Sequence, residues 1–91
     1  VDIKLSKPYT FEGKEYTELK LDFDVLTGRD MIIAEAEVRV IADPAPVAEL
    51  SKSYLAVMAA KAARVPVDLI LGLPAKDFSK VTIEVQNFLF E

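Results

Sequence analysis

The sequence predicts an α+β fold: an N-terminal β-hairpin followed by a mainly α-helical part of three to four helices, within a single domain over residues 1–91. Three observations predict it. Apolar and polar residues alternate between Ile3 and Phe23 around a glycine. From Thr27 onward the apolar spacing becomes three and four. Prolines and a glycine then cut that part into separate segments.

The hairpin is expected over about residues 3–23. Tyr9, Phe11, Tyr16, Thr17, Leu19, Leu21 and Phe23 favour strands. Glu12-Gly13-Lys14 separates the arms, and Gly13 tolerates a positive φ. Leu19, Leu21 and Phe23 fall on one face of the second arm, Lys20 and Asp22 on the other. One face is therefore packed and one wet. A lone hairpin is barely stable in water, so it must lie on helices or pair with another chain.

The first helix is expected over about 28–41. Thr27 can cap it, with Asp30 three residues later beside the positive end of the helix dipole. Met31, Ala34, Val38 and Ile41 form its apolar stripe, and Glu35 and Arg39 an i, i+4 pair. Residues 34–40 also alternate as a strand would; the cap favours helix. Asp43-Pro44-Ala45-Pro46 breaks the chain within the domain. A second helix is expected over about 47–64, with Leu50, Tyr54, Val57 and Met58 as its stripe. Its alanines are strong helix formers and permit close helix approach. Pro66 opens a short helix over 66–71, which Gly72 ends and Pro74 cannot continue. The last helix is expected over about 75–89, apolar around more than half its girth, with Asp77 in its first turn.

Composition excludes several functions. The chain has 91 residues, 15 acids against 11 bases and a net charge of -4. Its lysines and arginines are scattered, so no nucleic-acid partner is expected. No apolar run reaches membrane-spanning length and no signal peptide is visible, so no membrane is expected either. The apolar share is 52%, high for a chain this short, so part of that surface is expected at an interface. Histidine and cysteine are absent, which removes the commonest general base, the thiolate nucleophile and the usual zinc ligands. No catalytic residue, cofactor or metal site is expected.

The remaining candidates have bland readings. Asp22 and Asp24 lack the rest of a calcium loop. Glu35 and Glu37 would face different sides of a helix. Lys61 and Arg64 fit cations at a helix C-terminus. Gly13, Gly28 and Gly72 are isolated and cannot build a phosphate-cradling loop. The informative feature is the last helix. Phe78, Val81, Val85, Phe88 and Leu89 form one stripe, while Ile83 and Phe90 project elsewhere. The stripe reads first as core; Ile83 and Phe90 are the candidates for contact with another chain. All seven residues make up the candidate partner-binding set.

The order of pieces resembles a known family. Lys7-Pro8-Tyr9-Thr10-Phe11 opens a hairpin that closes on Tyr16-Thr17-Glu18-Leu19-Lys20-Leu21. Leu26-Thr27-Gly28-Arg29-Asp30-Met31-Ile32 follows, then an Ala-rich helix, Val67-Asp68-Leu69-Ile70-Leu71, Leu73-Pro74-Ala75-Lys76-Asp77-Phe78 and Val85-Gln86-Asn87-Phe88-Leu89. This order is similar to that of the phage and prophage tail assembly chaperones of the tail protein E or 41 type, although the Asp-Pro-Ala-Pro linker departs from the pattern. The resemblance implies a non-enzymatic protein that binds the tape measure protein and keeps it soluble while the tail tube assembles. It also implies a place in the host cytoplasm and absence from the mature virion. Self-association into a homo-oligomer is expected separately, from the apolar surplus and the unpaired hairpin edge. A structural tail or connector component, or an interaction module unrelated to phages, are the alternative readings.

Overall fold

The computed structural model describes residues 1–41 and 52–90, the side chains of 39–41 excepted. The expected Glu35–Arg39 pair, Ile41 and Leu50 of the two stripes, the 43–46 break and the 47–51 part of the second helix lie outside the described residues. Strand β1 (Asp2–Phe11) pairs antiparallel with β2 (Lys14–Lys20) in a two-stranded sheet. Helices α1 (Gly28–Ile41), α2 (Lys52–Ala63), α3 (Val67–Leu71) and α4 (Ala75–Leu89) follow. This is the α+β architecture that the sequence predicts.

The hairpin turns through Glu12 and Gly13, both at positive φ (49° and 79°), the signature of a two-residue type I′ turn. Its ladder is interrupted. β1 advances five residues from Lys4 to Tyr9 while β2 advances two from Tyr16 to Glu18, so β1 carries three extra residues. An odd excess changes which faces are matched across the pair. β1 keeps Ile3, Leu5, Tyr9 and Phe11 in one phase; β2 changes phase between Tyr16 and Leu19; all six pack on the core. Pro8 lies in the irregular stretch, where its missing N–H costs no ladder bond. On the other face Asp2 stands opposite Lys20 and Lys4 opposite Glu18, all exposed. These opposite charges keep that face wet.

The second arm is shorter than expected. β2 ends at Lys20, and Phe23 belongs to a 3-10 turn (Phe23–Val25), not to the strand. The Asp22 backbone N–H donates to the Ala62 carbonyl at 3.1 Å, near the C-terminus of α2. That bond gives a helix-end carbonyl a partner and draws the chain off the sheet. The Asp22 carboxylate then accepts from the Asp24 N–H at 3.2 Å and caps the turn.

Helix α1 starts as its cap predicts, and the strand alternative for 34–40 does not apply. The Thr27 N–H donates to Asp30 Oδ2 at 2.9 Å, and the Asp30 N–H to Thr27 Oγ1 at 3.4 Å. This is a reciprocal capping box with Asp in place of Glu. Ala34 and Val38 are buried and Met31 is half-buried.

Helix α2 is the centre of the molecule. It touches α1, α3, α4 and β2, and Tyr54–Ala60 are all buried, as is Ala62. A helix buried all round needs small side chains where neighbours approach, and the alanines supply them. The apolar surplus is therefore concentrated on α2 rather than on the last helix, which buries one side only. α2 ends in a Schellman motif: the Val65 N–H donates to the Ala60 carbonyl and the Arg64 N–H to the Lys61 carbonyl. Arg64 takes the left-handed position at φ 58°, where glycine is usual.

Tyr9 and Ser6 tie the hairpin to the helices by long-range hydrogen bonds. The Tyr9 hydroxyl donates to the Leu69 carbonyl at 3.1 Å. Ser6, in the irregular part of β1, donates to Asp77 from both its backbone and its side chain. Gly72 caps α3 at an ordinary helical φ of -87°. Its lack of a side chain matters for space: a Cβ there would stand 2.5 Å from the Tyr9 hydroxyl.

Candidate partner-binding surface

Helix α4 is amphipathic. Asp77, Val81, Thr82 and Val85 are buried against α2 and β1. Val81 and Val85 are 0% exposed and offer no surface while the fold is intact. Phe78 and Leu89 are half-buried and pack against the edge of the core, and Phe88, also half-buried, packs on Phe23. Ile83 and Phe90 are 53% and 57% exposed. Of the seven candidates, then, two are core, three are half-buried and two are open to solvent.

Phe90 lines one and Ile83 the other of two hollows that share Glu84. One, of about 490 Å³, is lined by Val1, Phe23, Glu84, Asn87, Phe88 and Phe90. The other, of about 350 Å³, is lined by residues 2–4 of β1 with Lys80, Ile83 and Glu84. The 3-10 turn supports the first, because the Phe23 ring stacks on Phe88 with centroids 4.6 Å apart and planes 9° from parallel. That stack, beyond the end of β2, is a contact the alternation of the hairpin could not show.

A further groove of about 510 Å³ lies between α1, α2 and the start of α3. Ala60, Val65 and Val67 give it an apolar lining; Glu37, Lys61 and Arg64 stand around it. Lys61 pairs with Glu37 at 3.4 Å. Sequence reasoning placed Lys61 and Arg64 only as cations at a helix end. Ile32 and Ile33 on α1 are exposed as well, at 69% and 42%.

Among the described residues no three His, Cys, Asp or Glu side chains gather to hold a metal ion, and no helix is long and apolar enough to cross a membrane. The buried carboxylate, Asp77, is occupied by Ser6 and by Lys80 at 3.9 Å. Read locally, Asp77 was only a favourable charge in a first helical turn.

A family model described as phage tail assembly chaperone proteins, E, or 41 or 14, matches residues 2–89. Neither the curated proteins nor the solved structures gave a match.

Proposed function

Since the chain belongs to the phage tail assembly chaperone family, we propose that it acts by binding the tape measure protein and keeping it soluble while the tail is built. The family supplies the role. The observation that supports the mode is the outer face of α4, where Ile83 and Phe90 stand exposed on a helix whose other side is core. Exposed large apolar side chains rimmed by polar ones suit a helical client presenting its own apolar stripe. Phe88, half-buried, lines the hollow beside Phe90. The net charge of -4 keeps such a complex dispersed. The reading places the protein in the host cytoplasm, engaged during assembly and absent from the finished particle.

Co-expression tests it. The tape measure protein of the same tail gene cluster should move from the pellet to the soluble fraction when this chain is present. It should return to the pellet when Ile83→Asp is substituted. Equal insolubility with and without the chain overturns the reading. A stoichiometric band of this chain in purified particles overturns its transient role.

A further inference from the structure

We propose that a second copy of this chain covers the C-terminal end of α4, seating Phe90 in the groove between α1, α2 and the start of α3. The two surfaces fit in chemistry. The groove is apolar within and carries Arg64 beside it, exposed and without an ion pair among the described residues. Lys61 is already engaged by Glu37, so among the described residues lining the groove the unpaired charge is that of Arg64. Phe90 shares its hollow with Glu84, which likewise has no ion pair among the described residues. An aromatic knob with a carboxylate beside it thus meets an apolar groove with a guanidinium beside it. The groove volume of about 510 Å³ is ample for a phenyl ring and the end of the helix that carries it.

The backbone gives a second reason. Arg64 holds φ 58° in a position that glycine fills at lower cost. The proposed interface gives the arginine side chain at this costly position a use.

Groove and knob share no lining residue. One molecule can therefore offer its knob to one neighbour and its groove to another. Such an interface is heterologous and continues until it closes on itself. If α4 is also the client face, as proposed above, self-association and client binding compete, and unemployed copies shield each other's apolar surface. Only that corollary rests on the functional reading. The interface itself is tested without any client.

The experiment is sedimentation velocity on the full chain across a concentration series. The wild type should gain mass with concentration. Phe90→Asp removes the knob and Arg64→Glu reverses the charge at the groove; each should weaken association by at least about tenfold. Mixed together, the two variants should form a dimer that grows no further, since one intact knob meets one intact groove. The pair Glu84→Arg with Arg64→Glu should associate again, which excludes misfolding of Arg64→Glu as the cause. A strictly monomeric wild type, variants that associate as the wild type does, or a mixture that stays monomeric would each overturn the proposal.

Discussion

Ser6 donates its backbone N–H to Oδ1 of Asp77 and its hydroxyl to Oδ2, each at 3.0 Å, across 71 residues of sequence. The carboxylate is 0% exposed, and among the described residues its ion pair is with Lys80 at 3.9 Å. A buried carboxylate without donors is costly, so hairpin and α4 depend on each other here. Ser6 and Asp77 find each other across two elements, while Lys80 meets the same carboxylate from within α4.

Unequal penalties at the two ends of this clamp are the first prediction. Asp77→Ala removes both acceptors and leaves a gap in the core, and should cost about 2–4 kcal/mol. Ser6→Ala keeps the backbone donor and should cost about 1 kcal/mol. Urea unfolding of both variants measures the difference. Equal costs would show that the Ser6 hydroxyl carries the whole clamp, and a Ser6→Ala cost near zero would show that the carboxylate is held by something other than that hydroxyl.

The Tyr9 hydroxyl occupies the space that a side chain at residue 72 would need, which yields the second prediction. Gly72→Ala should destabilise by about 1–2 kcal/mol, because the ring must move and its bond to the Leu69 carbonyl is lost. Tyr9→Phe alone loses only the bond, about 1 kcal/mol. In the Tyr9→Phe background Gly72→Ala should cost almost nothing, since the nearest ring carbon lies at an ordinary 3.7 Å. Additive costs in the double variant would refute the spatial explanation.

Local signals carried most of the element order. The Glu12-Gly13 turn, the Thr27–Asp30 box and the prolines at 66 and 74 act within a few residues, and each marks the boundary it predicts. Three things lay beyond such signals. The end of β2 is drawn off by the Ala62 carbonyl, a tertiary bond with no local trace. The central place of α2 is hidden because alanine adds little to an apolar stripe, whichever way it faces. The Asp77 clamp looked like a dipole effect, because a carboxylate in a first turn has that sufficient explanation already. On α4, spacing separated Ile83 and Phe90 from the stripe correctly, but it could not say that Val81 and Val85 have no exposed surface while Phe88 keeps some.

Phe23 and Phe88 provide the third prediction. Their rings are nearly parallel at 4.6 Å and join the turn after the hairpin to the end of α4. A double-mutant cycle with Phe23→Leu and Phe88→Leu should give a coupling of about 0.5–1.5 kcal/mol. Zero coupling would mean that each ring contributes only through the surface it buries.

The last prediction sets stability against association. Glu12 and Arg64 hold positive φ with side chains that disfavour it. Glu12→Asn suits the first position of a type I′ turn and should stabilise by about 0.5–1 kcal/mol. Arg64→Gly relieves the Schellman position and should gain a similar amount, reduced by the greater freedom of glycine in the unfolded chain. The two gains differ in consequence. Residue 12 lies at the hairpin tip, outside both the groove and the α4 hollows, so Glu12→Asn should associate as the wild type does. Arg64→Gly removes the guanidinium beside the groove and should unfold at higher urea while self-associating less. A variant that gains on both counts would break the link between the strained backbone and the interface, because the arginine would then have been held in its costly position for nothing the groove uses.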